Sequence, residues 1–291
     1  MSVVATTQIE QLHTDVLAWF DETGRDLPWR TDPHPWRVMV SEFMLQQTPV
    51  ARVLPMFEAW VERWPTPAAL AADQPGEAVR AWGKLGYPRR ALRLHASAVA
   101  IVENHGGEVP SDINELRALP GVGDYTAAAI ASFAFGQRHV VLDTNVRRLF
   151  ARTVQGIEFP ADTITAAERT LATDLLPELL ADRWAAATME LGAVICTAKS
   201  PRCGGCPIAD RCAWNVAGRP AHAGPPRRGQ AYAGTDRQVR GRLLDVLRSS
   251  DTPVTKAVLD AAWNDADQRE RCLRSLLADG LVTEESGLYR L

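Results

Sequence analysis

Four cysteines crowd into one short stretch of this 291-residue chain: Cys196, Cys203, Cys206 and Cys212, separated by six, two and five residues. The spacing lets all four thiolates meet at one centre no wider than a short loop. A fifth, Cys272, stands alone, and an odd count with this crowding is poor material for a secreted disulfide framework. A four-thiolate site suits either zinc or an iron–sulfur cluster, and the number of thiolates does not separate them. The long first gap departs from paired zinc knuckles and favours a single cubane held at the end of a helix. Lys199, Arg202 and Arg211 lie inside the loop, where they would be displayed to a phosphate backbone.

The charge pattern fits such a use. Residues 196–242 hold nine Lys or Arg against two Asp or Glu, a local +7 in a chain whose net charge is −3, so the remainder carries −10. One basic segment is attached to an acidic protein, which suits a polyanion; a solubilising linker explains the charge equally well. Hydrophobic residues at 46% and charged residues at 23% are the proportions of a globular protein near the size where one core divides. No run approaches the roughly 20 apolar residues a bilayer helix needs, and the N-terminus lacks a basic flank followed by an apolar core. A cytoplasmic protein without a membrane partner is expected.

Apolar residues recur at helical spacing from about Thr7 to Thr23, with Gly24 as a stop. Further helices are predicted near 37–47, 50–63, 75–84, 89–104, 112–118, 124–135, 144–155, 162–177 and 182–195, and no alternating run reads as a sheet before residue 220. The fold class is all-α. Ala213 to Thr235 reads as a Gly, Pro, Ala and Arg linker. Three helices follow (Arg237–Ser249, Val254–Trp263, Ala266–Asp279), then two short strands around 281–283 and 288–290, a pattern that resembles a winged-helix module or a small packing domain.

Between two predicted helices, Leu119-Pro120-Gly121-Val122-Gly123 makes a tight turn. Its glycines allow left-handed backbone and close approach of another chain, and the free amides of Gly121, Val122 and Gly123 at a helix start offer an anion site. That is the layout of a hairpin that grips a DNA phosphate without reading sequence, or of an ordinary helical corner. Glu42 is a carboxylate in an otherwise apolar helix, where burial would raise its pKa toward a proton-donating role. Asp143 follows Val140-Val141-Leu142 and precedes a helix start, so an N-cap is its plainest reading. Taken together, the two carboxylates and the hairpin suggest cleavage of a glycosidic bond through a cationic sugar, with one acid and one anion.

The hairpin, Asp143 and the cysteine spacing resemble the helix–hairpin–helix DNA glycosylases with a [4Fe–4S] cluster, the endonuclease III superfamily, over about residues 8–214. Within that span Leu27-Pro28-Trp29, Ser41-Glu42, Met44-Leu45-Gln46-Gln47-Thr48 and Leu85-Gly86-Tyr87 are similar to the adenine DNA glycosylases of the MutY type. The resemblance implies a six-helix barrel over 25–135, a cluster lobe from 1–24 and 136–215, a linker at 216–235 and a winged-helix-like tail at 236–291. It also implies a monomer acting on double-stranded DNA, removing adenine mispaired with 8-oxoguanine or guanine.

Site roles follow from the resemblance. Glu42 would protonate N7 of the flipped adenine, and Asp143 would stabilise the sugar cation with Tyr125 assisting. Leu27, Trp29 and Leu45, with Arg25 nearby, would form the base pocket. Gln47 and Tyr87 would wedge into the duplex, while Cys196, Cys203, Cys206 and Cys212 would hold the cluster. Tyr125 stands where endonuclease III carries its nucleophilic lysine, and the chain has only Lys84, Lys199 and Lys256, so strand cleavage by that route is not expected. Tyrosine also occurs there in some thymine-removing relatives, which keeps a thymine-mismatch or endonuclease III-like glycosylase as the alternative, with a non-catalytic iron–sulfur regulator as a remoter one. Thr144, Ala186 and Pro88 depart from the MutY pattern, and the tail is too short for the family's Nudix-like domain that inspects 8-oxoguanine.

Overall fold

A computed structural model describes residues 6–224 and 232–291; the middle of the predicted linker lies outside them. The described chain is mostly helical with a small strand module at its C-terminal end. It divides into two compact units, one drawn from the described residues of 1–38, 111–117 and 122–225, the other from those of 39–110, 118–121 and 226–291.

In the first unit the amphipathic helix Thr6–Thr23 lays Leu12 and Val16 against Val146, Leu149 and Phe150 and against Trp184, Ala187 and Leu191. Trp184 anchors this core, with Phe150 stacked on it at 6.3 Å and His13 edge-on at 4.7 Å. The helix predicted over 162–177 is shorter, Ala166–Asp174, because Thr165 and Glu168 close a capping box at its start. The stretch predicted as one helix over 144–155 changes pitch: Thr144–Phe150 is α-helical and Ala151–Gln155 is a π-helical turn. Such turns often mark functional positions, and here the turn carries Arg152.

The second unit is built on buried tryptophans. Trp60 meets Trp64 and Trp82 edge-on at 4.6 and 5.5 Å, and the Trp82 indole N–H donates to the Gly86 carbonyl at 3.0 Å, pinning the loop before Tyr87. The C-terminal module belongs to this unit. Its helices are Asp236–Arg248, Lys256–Asp260 and Ala266–Ala278, and its strands Val254–Thr255, Thr283–Glu285 and Leu288–Arg290 form an antiparallel sheet with the last strand in the middle. The helix expected over 254–263 therefore begins as a strand, since Val254 and Thr255 pair with Tyr289 and Leu288. Several contacts fasten the module. Arg80 donates to the carbonyls of Leu247, Arg248 and Ser250 at 3.1, 2.7 and 2.9 Å, satisfying a helix end. The Leu291 backbone fills the space that any side chain at Gly76 would need, 2.5 Å from the ideal Cβ.

Candidate functional site

The four clustered cysteines of the first unit line one cavity with Leu149, Arg152, Ile208 and Trp214. Among the described residues no three His, Cys, Asp or Glu converge on a single-ion point. Burial, and then repulsion from Cys196, Cys212 and Cys203, pushes the Cys206 thiol up to about 11, against a hydrogen bond from the Ile208 backbone. Four thiolates gathered here need cationic iron or zinc to be held together. Arg152 gives the complementary sign. It is fully buried (0% exposed) and donates to the carbonyls of Glu158, Thr197 and Ala198 at 2.8–3.2 Å and to the Cys196 sulfur at 3.4 Å. Its guanidinium lies 4.5 Å from the centre of the Trp214 ring. A buried cation among neutral carbonyls calls for a nearby anion, and an anionic thiolate-bound cluster supplies one.

Asp143 belongs to the same unit and is linked to the Cys196 carbonyl through Asn145 and Arg148. It caps the helix Thr144–Phe150, as its position suggested, accepting from the Asn145 and Val146 amides at 2.8 and 2.7 Å. Its second oxygen accepts from the Asn145 side chain at 2.7 Å. Burial pushes the carboxyl above its ordinary range, and the hydrogen bonds of Val146 and Asn145 and the charge of Arg148 work against that push. Arg148 donates to Asn145 Oδ1 at 2.8 Å, to the Gly192 carbonyl at 2.7 Å and to the Cys196 carbonyl at 2.7 Å. One line of bonds thus runs Asp143–Asn145–Arg148–Cys196. Gly192 permits it, because a Cβ there would meet Asn145 at 2.8 Å. Tyr125 is half-buried in the same unit and packs with Phe133 and Met189 against Ala128, Ala129, Val141 and Ala185.

Arg25, Leu27 and Trp29 also belong to the first unit. Leu27 and Trp29 are buried, and Arg25 is tied by Nε and Nη2 to Glu190 at 2.5 and 2.9 Å, with Arg30 adding a third bond at 2.9 Å. Glu190, 1% exposed, is held below the ordinary carboxylate range: burial alone would raise it, and the hydrogen bond from Arg25 with the charges of Arg30 and Arg25 overrides that. Sequence reasoning missed Glu190, although it carries the same signal as Glu42, a carboxylate inside an apolar helix. Ala186 stands one turn before it.

Glu42, Leu45, Gln47 and Tyr87 belong to the second unit. Glu42 is buried (4% exposed) between Ser41 and Phe43, and Leu45 is half-buried at the end of the helix Pro35–Leu45. Gln47 and Tyr87 are exposed, and both adopt the left-handed region at φ 55° and 49°, an uncommon state for side chains of their size. One residue sustains both loops. Arg90, buried, donates to the carbonyls of Phe43, Met44 and Gln46 at 2.9, 3.1 and 2.5 Å, to Thr48 Oγ1 at 3.1 Å and to the Gly86 carbonyl at 3.0 Å. Burial pulls its pKa down to about 10. Nothing local in the sequence distinguishes Arg90 from the exposed arginines around it.

In the turn 119–123, Leu119 and Val122 are buried. Only Gly121 is left-handed (φ 81°), with its missing side chain replaced by that of Arg93, 2.7 Å from the ideal Cβ. Gly123 is extended. Its place is explained by openness, since nothing lies within 4 Å of its Cβ position ahead of the helix Asp124–Phe135.

Comparison with known proteins agrees with this arrangement. Residues 40–172 match the HhH-GPD superfamily of base excision DNA repair proteins, and residues 196–212 match the iron–sulfur binding domain of endonuclease III. The cofactor of the chain is thereby a [4Fe–4S] cluster, and the matched stretch contains all four clustered cysteines. An adenine DNA glycosylase of Mycobacterium tuberculosis is 56% identical over 273 residues, covering 93% of this chain and 90% of its own length. The human adenine DNA glycosylase is 39% identical over 215 residues, 70% of this chain and 39% of that protein. Among solved structures, a thermostable thymine-DNA glycosylase superposes with a TM-score of 0.67 at 24% identity, covering 72% of this chain and 98% of that one. A trapped endonuclease III–DNA intermediate gives 0.64 at 24% identity over 74% and 99%. The shared fold, the cysteine centre and the near full-length likeness place this chain in the adenine DNA glycosylase family of the HhH-GPD superfamily.

Proposed function

We propose that the protein binds double-stranded DNA as a monomer and hydrolyses the N-glycosidic bond of adenine mispaired with 8-oxoguanine or guanine. The observation that carries the reading is the state of Asp143: a carboxylate oriented by three hydrogen-bond donors, with no lysine beside it in the chain, where a cationic sugar needs an anion and not a nucleophilic amine. The choice of adenine is supported by relatives that bear that name.

In this scheme Glu42 transfers its proton to N7 of the extruded adenine as the bond from N9 to C1′ breaks, so the base leaves neutral. Asp143 faces the positive charge that develops on the deoxyribose. Water then adds to C1′ and its proton returns to Glu42, leaving an abasic site in an uncut strand. Tyr125 occupies the position of the lyase lysine and supplies no amine. Leu27, Trp29 and Leu45 are the apolar side chains assigned to the base, with Arg25 steadied by Glu190. Gln47 and Tyr87 enter the duplex, and Gly121, Val122 and Gly123 present amides to a phosphate. The cluster, when bound, supplies an anionic structural centre capable of one-electron chemistry, and base removal draws on the protein's own side chains.

The test is base release from duplexes carrying A·8-oxoG, A·G, T·G or an oxidised pyrimidine, with and without alkali. Adenine release with strand breaks only after alkali is the expected result. Glu42→Gln should abolish release while duplex binding persists; near-normal excision by that variant would show that the proton comes from elsewhere.

A further inference from the structure

The C-terminal module has no part in the chemistry proposed above, yet it is fastened to the segment that carries Tyr87. At the start of its first helix the guanidinium of Arg237 lies 5.1 Å from the centre of the Tyr87 ring and 5.8 Å from that of Tyr232. Arg90 stands 5.4 Å from the same Tyr87 ring. Two residues on, Arg89 pairs with Asp279 of the module at 2.9 Å, and Arg240 shares that carboxylate at 2.5 Å. At the helix's other end Arg80 grips its last carbonyls, and Leu291 seats on Gly76. The module is therefore held along its first helix, and Arg237 at the start of that helix falls on an aromatic ring that is 44% exposed and carried on left-handed backbone.

Its overall charge argues against a separate grip on DNA. Residues 236–291 hold nine Lys or Arg and ten Asp or Glu, a balance that gives a polyanion little reason to bind. What the module contributes is concentrated at one contact. We propose that Arg237 is a positioning residue for mispair recognition: through it the module holds the Tyr87 ring in the orientation in which it enters the duplex beside the purine opposite the excised base. The inference rests on the reading of Tyr87 given under Proposed function. A ring held by a cation before binding loses less freedom on insertion, so the effect belongs to the affinity for mispaired DNA and not to the chemical step.

The experiment uses the full chain and an A·8-oxoG duplex, measured by multiple turnover and by single turnover at saturating protein. Arg237→Ala should raise KM by about two- to five-fold, the worth of an exposed cation–π contact, with the single-turnover rate unchanged; Arg237→Lys should recover part of the loss. Gly76→Leu, which touches neither Tyr87 nor Arg237, should unseat Leu291 and raise KM in the same way. Arg274→Ala removes an equal charge from an exposed position of the same module and should leave KM as it was. The proposal is overturned if Arg237→Ala or Gly76→Leu leaves KM unchanged, if Arg274→Ala matches Arg237→Ala, or if the single-turnover rate falls with the affinity. An unaltered chain that releases no adenine overturns the glycosylase reading, and this proposal with it.

Discussion

Replacing Arg90 with methionine keeps most of its bulk and removes every donor. Five acceptors then lose a donor, and they differ in what they have left: the Gly86 carbonyl keeps the Trp82 indole and the Gln46 carbonyl the Thr48 hydroxyl. The carbonyls of Gln46 and Gly86 adjoin exposed residues and can turn to water. Those of Phe43 and Met44, and the Thr48 hydroxyl, are buried. A buried acceptor left without a donor costs about 1–3 kcal/mol. The desolvation of a guanidinium, visible in its depressed pKa, is relieved at the same time. The net loss works out at about 2–3 kcal/mol, which for a domain of this size lowers the melting temperature by about 5–10 °C. Thermal unfolding followed by circular dichroism reads that shift directly. The same variant should weaken duplex binding, because Gln47 and Tyr87 hang from one anchor. Arg90→Lys should retain less than half of the lost stability, since a compact ammonium cannot span acceptors on two loops. Melting of Arg90→Met within about 2 °C of the parent would refute the reasoning.

Two further outcomes follow from the first unit. Asn145→Ala removes a bond that favours ionised Asp143, whose pKa burial already raises; since the reaction needs the anion, activity falls as pH drops through that value. The acid limb of the single-turnover pH profile should therefore move to higher pH by about 1–2 units, the worth of a charge-assisted hydrogen bond, and a limb that stays in place would remove Asn145 from the site. Glu190→Gln should cost about 2 kcal/mol at neutral pH, since it leaves Arg25 and Arg30 without their buried counter-charge. Because the Glu190 pKa is depressed in the folded protein, that stability is present above the unfolded carboxylate value and is lost as pH falls through the folded one. Denaturant unfolding should accordingly show parent and variant converging on acidification, and a constant gap would contradict the ion-pair account.

Much of this arrangement was legible in the sequence, for identifiable reasons. The cysteine spacing, the apolar setting of Glu42 and the N-cap position of Asp143 are local patterns, and local patterns survive folding. The boundaries that moved did so where a local signal was present but overlooked, as with the Thr165–Glu168 capping box, or where a distant partner decided the matter, as with the two-residue strand at Val254. The arginines were the least legible. Arg90, Arg148 and Arg152 carry no local mark that sets them apart from other arginines, yet each is a buried cation with partners tens of residues away. Periodicity carries no record of such pairings. The left-handed Gln47 and Tyr87 were recognised by their neighbours in the motif, since neither residue type advertises that backbone state.

The line from Asp143 through Asn145 and Arg148 to Cys196 has a practical corollary. A single guanidinium, that of Arg148, serves both the Cys196 carbonyl and the side-chain amide that meets Asp143, so replacing Arg148 would leave the backbone at the cysteine stretch and the carboxylate at the helix start without their shared tie.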